Sequence, residues 1–421
     1  GLDGTRVFTH FPPIDTYNAT FSGEQLAHAV RNFRDKGAAN RSLVPFGHGD
    51  GGGGATREML ARAKRLANVE GSARIEIEKP AEFFAKAEQD YPHAPVWVGE
   101  LYLELHRGTY TSQAKTKQGN RRSEHLLREA ELWAATAAVR TGFAYPHADL
   151  DRLWKIVLLH QFHDILPGSS IAWVHKQARE TYAAVAAELE SIIDSAQRSL
   201  AGEGTARIVF NAAPHSRRGV AGGAAGESST DSDPVMVTGS AEDGWTIDNG
   251  LIRVGVDGRG LVTSIVDLGA GRESLPDGEV ANLLQIHPDL PNHWDAWDVD
   301  SFYRNTVTNL TEADSVQIAY AGLNKVIVEA KRSFGSSTVV QSITVDSGSA
   351  TVDFDAEVDW HETETILKAA FPVDVRAETS ASQTQFGHVR RATHTNTTWE
   401  AAKFEICAHR FLHVAEPGWG A

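Results

Sequence analysis

The spacing of apolar residues changes twice along this chain, and those changes constrain the fold more than any single motif. From about residue 205 the period is two. Thr351 to Trp360 sets Val352, Phe354, Ala356, Val358 and Trp360 against Asp353, Asp355, Glu357 and Asp359. That alternation predicts a half-buried antiparallel strand with an acidic outer face. Leu251–Leu268 reads as a hairpin about Asp257-Gly258-Arg259-Gly260. Residues 219–234, rich in Gly, Ala, Ser and Asp, read as a mobile loop.

Upstream, the period is that of a helix. Ser123–Thr141 places Leu126, Ala130, Trp133 and Ala137 on one stripe, and Asp149–Ile165 does the same with Leu150, Leu153, Trp154, Val157 and Leu158. Pro167-Gly168 breaks that helix, and Ser169 or Ser170 can cap the next, which carries Val174, Ala178, Tyr182, Val185, Leu189 and Ile192. Three long helices with short connections predict a three-helix bundle. Residues 1–98 instead alternate short strands (Ser42–Phe46, Ile75–Ile77) with amphipathic helices: one carries Leu26, Val30 and Phe33, one is capped by Thr56 and carries Met59, Leu60, Ala63 and Ala67, and one starts at Pro80. Strand–helix alternation predicts an α/β layer with parallel strands. The expected organisation is therefore α/β over 1–98, a helical bundle over 99–203 and an antiparallel β-sandwich over 204–421.

A chain of 421 residues is long enough for that many cores. Its net charge of −15 argues against nucleic acid as a partner. No run approaches the roughly 20 apolar residues of a membrane span. The single cysteine, Cys407, allows no internal disulfide, so nothing points to secretion. The chain opens without a Met or a signal-peptide apolar run and stops straight after a strand pattern, so a fragment cut at both ends is expected.

Five stretches carry polar chemistry. Phe46-Gly47-His48-Gly49-Asp50-Gly51-Gly52-Gly53-Gly54 places one His and one Asp among six glycines after an apolar run. A phosphate loop of the Walker type would end in Gly-Lys-Ser/Thr, and here the lysine is missing. A plain turn and a carboxyl group presented to a ligand both remain, the glycines in the second case allowing close backbone approach. His160-Gln161-Phe162-His163-Asp164 spaces His160, His163 and Asp164 at i, i+3 and i+4, so on a continuing helix they share a face. Two imidazoles and a carboxylate suit zinc, and a helix C-terminus that favours His by its dipole accounts for them equally well. Glu104–Gln113 reads as a sugar-contacting segment or a loop tying domains. His293-Trp294-Asp295-Ala296-Trp297-Asp298 with Tyr303 reads as a sugar-stacking surface or as sandwich core. Arg390–Trp399 is too polar for a core strand and is expected at a junction.

Taken in order, these stretches resemble the α-mannosidases of glycoside hydrolase family 38. The glycine loop, His106-Arg107-Gly108-Thr109-Tyr110-Thr111-Ser112, Gln161-Phe162-His163-Asp164 with Gly168, Trp294–Asp298 and Thr393–Thr397 match its segments along nearly the whole chain. The glycine-run loop and the lone Cys are similar to the cytosolic and bacterial branch. The resemblance implies the C-terminal part of a seven-stranded barrel-like α/β catalytic domain, a cytoplasmic setting and a retaining hydrolase of terminal α-D-mannosides in oligosaccharides or glycans. Asp50 takes the acid/base position, His163 a zinc ligand, Asp164 a hydrogen bond to the sugar and His106 an aromatic-type contact, with Arg107 and His48 in the substrate site. The implied cofactor is one Zn²⁺ and the implied partner an α-mannoside; a homo-oligomer is left open. The family's nucleophile and remaining zinc ligands fall N-terminal to residue 1, so the fragment alone is expected to be inactive. Hydrolysis of another α-mannosyl compound, such as a mannosylated osmolyte, and non-catalytic carbohydrate binding are the alternatives.

Overall fold

Three helices organise residues Gly1–Glu100, the first of two units into which the chain divides; the second is Leu101–Ala421. The computed structural model describes residues 1, 3–101, 104–228 and 233–421. Helix α1 (Gly23–Asn32) starts with a capping box between Ser22 and Gln25. Helix α2 (Arg57–Leu66) is capped by Thr56, whose hydroxyl accepts from Met59 N at 3.2 Å. Helix α3 (Pro80–Asp90) begins at its proline. Phe21, Leu26, Met59 and Ala63 form the core, with Val44 and Phe46 against them. Val30 and Leu60, expected inside, are exposed, and Ala29 is buried instead.

The expected strands are corrected here. Ser42–Phe46 pairs only through a parallel bridge from Phe46 to Ala19, with Ala19 N donating to Pro45 O and Gly47 N to Ala19 O. Ile75–Ile77 forms no ladder, because Ile75 N donates to Ala67 O behind helix α2 and Ile77 lies exposed. Among the described residues of this unit, the expected parallel sheet is reduced to that bridge and one between Lys36 and Ala39.

The second unit begins with helices α4 (Ala114–Thr141), α5 (His147–His160) and α6 (Ala172–Ala201). They share one core: Leu127, Ala130, Trp133 and Ala137 meet Leu153 and Val157, and both meet Tyr182, Val185 and Leu189. Helix α4 starts well before Ser123. Thr116, Asn120 and Ser123 are its buried positions there, so the stripe continues with polar residues that an apolar period does not register. Gly119 lets it approach α6 closely; a Cβ there would lie 2.7 Å from the Tyr182 ring. Helix α5 ends at His160, short of Ile165, and α6 has Ile171 at its N-cap with no side-chain cap. No helix of the described residues is long and apolar enough to cross a membrane.

The remainder is antiparallel. One five-stranded sheet contains 236–240, 244–248, 252–256, 262–267 and 272–273; a four-stranded sheet contains 315–322, 325–334, 337–346 and 352–359. Trp245, Ile247 and Val254 of the first share a core with Val326, Val328, Ile343 and Val345 of the second. The hairpin about Asp257–Gly260 and the strand Val352–Asp359 are both present. Of the expected loop 219–234, Ala224–Gly226 pairs with Val209–Asn211, and 229–232 lies outside the described residues.

Candidate active site

The glycine loop has a defined shape. Gly47 has φ +101°, and a Cβ on it would lie 2.9 Å from the backbone of Gly54 and Ala55. His48 N donates to Gly54 O at 2.9 Å, closing the loop across its neck. Gly53 sits under that closure, where a Cβ would fall 2.5 Å from His48 O. Gly49 N donates to Asn18 Oδ1 at 2.7 Å. Between these fixed points, Asp50 opens a single 3-10 turn, Asp50–Gly52. Its carboxylate is exposed and accepts from the Tyr17 phenol at 3.4 and 3.3 Å. His48 is exposed too. Tyr17 and Asn18 hold the loop although nothing in their own stretch marks them; only the three-dimensional return of the chain brings them to residues 48–50.

Asp50 and His48 belong to the first unit; His106, Arg107, His163 and Asp164 belong to the second. The Arg107 guanidinium pairs with Asp298 Oδ1 at 3.2 Å, donates to Ala402 O at 3.1 Å and lies 4.3 Å from the centre of the Phe404 ring. The two charged side chains are only 9% and 11% exposed. Arg107 thus joins protein to protein and does not present a free cation to a ligand. Next to it, Gly108 N donates to Trp297 O at 2.9 Å, and the His106 ring stands edge-on to Trp297 at 5.1 Å. His106 Nδ1 is buried and makes no hydrogen bond among the described residues. The Trp294–Asp298 stretch divides its work: Asp298 is buried, while Trp294, at φ +61°, is largely exposed and fills no core.

The His160–Asp164 stretch departs from expectation. Because α5 stops at His160, the three residues do not share a helix face. The His160 ring turns inward onto Tyr182, and its Nδ1 donates to Ile156 O at 2.8 Å. His163 points outward with 78% of its side chain exposed, 3.4 Å from Asp164 Oδ2. Asp164 is held by Ser169, which donates to Oδ1 at 3.3 Å, and by Ser170, which donates to its carbonyl at 2.6 Å. Those serines therefore serve the turn and not the N-terminus of α6. The Arg390–Trp399 stretch is structural at its start: Arg391 is buried and donates to Cys407 O.

The glycosyl hydrolases family 38 N-terminal domain matches residues 1–100, the alpha mannosidase middle domain residues 104–200 and the family 38 C-terminal domain residues 247–421. The chain belongs to glycosyl hydrolase family 38. It is similar to Alpha-mannosidase 2C1 of Homo sapiens, 38% identical over all of this chain and 43% of that protein. Alpha-mannosidase G of Dictyostelium discoideum is 31% identical over all of this chain and 46% of its own length. The chain thus spans less than half the length of these family 38 relatives. Its fold matches the crystal structure of an alpha-mannosidase from Enterococcus faecalis V583 with a TM-score of 0.68 at 14% identity, covering 94% of this chain and 59% of that one.

A metal is the family-level expectation that these residues do not meet by themselves. Zinc takes three or four N, O or S ligands. Among the described residues no group of three His, Cys, Asp or Glu is placed to hold a metal ion. His160, turned into the core, is not available, and His163 with Asp164 does not complete a shell.

Proposed function

We propose that this chain is part of a retaining α-mannosidase that hydrolyses terminal α-D-mannosides. The observation that carries the proposal is Asp50: an exposed carboxyl group on a loop stripped of side chains, oriented by the Tyr17 phenol. A group in that setting can approach a glycosidic oxygen without obstruction, which a general acid requires. Retention needs a second carboxylate about 5 Å away as nucleophile; we assign it to parts of the protein outside these residues. Asp164, fixed by two serine hydroxyls, is proposed to accept a hydrogen bond from a sugar hydroxyl. His106, its ring held edge-on to Trp297, is proposed as an aromatic-type contact to the sugar, and His48 lines the glycine loop. Arg107 acts one step back by holding the His106 turn against Trp297.

His163 is proposed as one ligand of a zinc ion whose remaining ligands lie outside these residues. The family's expected zinc and the exposure of the imidazole support this reading. The test is hydrolysis of a chromogenic α-mannoside by this chain and by the protein at its natural length. Turnover with retained anomeric configuration in the natural-length protein supports the proposal. Absence of turnover there, or inversion, sinks it.

A further inference from the structure

The two turns that carry the proposed sugar-contacting residues of the second unit are tied together by one half-buried ammonium. Lys117, in the first turn of α4, donates from Nζ to Ser112 O at 2.5 Å, to Leu166 O at 3.0 Å and to Pro167 O at 3.1 Å. The first carbonyl belongs to the turn that follows His106; the other two belong to the turn that follows His163 and Asp164. The turns also touch directly, since a Cβ on Gly168 would lie 2.7 Å from Ser112 O. Ser112 in turn donates from Oγ to Gly108 O at 2.7 Å, next to Arg107. On the far side, Ser169 and Ser170 connect this seam to Asp164. No carboxylate is among Lys117's bonding partners in the described residues. An ammonium that spends all its donors on main-chain carbonyls of two turns sets backbone shape and does not neutralise charge.

We infer that Lys117 is a positioning residue: it fixes the Phe162–Gly168 turn, and with it Asp164 and His163, against the His106–Ser112 turn. The inference rests on the mannosidase reading for its functional half. Its structural half stands without that reading.

The experiment compares Lys117→Met with wild type in the protein at its natural length, reading amide hydrogen exchange and turnover of a chromogenic α-mannoside. Val185→Ala, in the core of the same helices, serves as a control for lost stability. Amides of Ile165, Leu166 and Gly168 should exchange at least about 10-fold faster in Lys117→Met while those in the middle of α4 and α6 hold. Turnover should fall at least about 10-fold, since small displacements of positioning groups are costly in rate. Val185→Ala should keep kcat within about 2-fold under conditions where it remains folded. Unchanged exchange in the turn overturns the inference, as does a turnover loss matched by the control. If Lys117→Met does not fold, Lys117→Gln is the milder replacement and the same outcomes decide. A wild-type protein that cleaves no α-mannoside defeats the mannosidase reading, and the exchange data still decide whether Lys117 holds the turns.

Discussion

At the scale of single residues, the glycine loop separates shape from chemistry. Asp50 is exposed and bonded to one phenol, so its replacement removes the proposed proton donor and little else. Asp50→Asn is expected to lower turnover by at least about 100-fold with an unchanged melting temperature; steady-state kinetics beside thermal denaturation check both. Gly53 is the converse case. A methyl group there meets the His48 carbonyl at 2.5 Å, so Gly53→Ala must open the neck of the loop and displace Asp50. Turnover should fall while the melting temperature moves by no more than a few degrees, because the loop buries almost no apolar surface. Of this arrangement the sequence shows the accessible carboxylate and the missing side chains. It does not show Tyr17 and Asn18, because a hydrogen bond to a residue 33 or 31 positions away leaves no local pattern.

At the scale of elements, helices were legible wherever their buried stripe is apolar and illegible where it is not. The beginning of α4 buries Thr116, Asn120 and Ser123, which read as surface. The end of α5 differs because apolar residues continue past His160 as Phe162 and Ile165, where the backbone instead turns, Phe162 N donating to Leu159 O and Ile165 N to Phe162 O. The shared face of His160, His163 and Asp164 is lost with it, since those residues align only on an unbroken helix. The short strands of the first unit failed for another reason: a strand exists through its ladder, and an extended run does not encode its partner. Lys117 offers a test at this scale. Burial lowers its pKa from 10.5 to about 8, so between those values the unfolded chain holds a proton that the folded one has released. The pH-linked part of the group's contribution to stability is then present above pH 10.5 and lost as pH falls through about 8, beside the hydrogen bonds to the two turns. Wild type should therefore gain stability relative to Lys117→Met on going from pH 7 to pH 10, measured as the difference between their denaturant midpoints at each pH.

For the whole molecule, the pair formed by Arg107 and Asp298 matters more than surface ion pairs of the kind Lys155 makes with Asp151. Removing one partner strands a nearly buried charge. Arg107→Met is expected to cost roughly 3 kcal/mol, the lower end of the range for broken buried pairs, because Asp298 keeps the Val299 amide as a donor. Urea unfolding checks the value, and a cost below about 1 kcal/mol, the level of a surface pair, would place the pair among the incidental contacts. The same contact also sets a schedule for synthesis. Its partners lie 191 residues apart in the chain, which a ribosome adding about 5–20 residues per second covers in about 10–40 s. Once Ala201 is made, about halfway through that interval, the three helices can close on their own core, while the turn bearing His106 waits for a carboxylate not yet made. The helical core is thus finished before the turn bearing His106, and a chaperone meeting the nascent chain during translation would find that turn still unpaired.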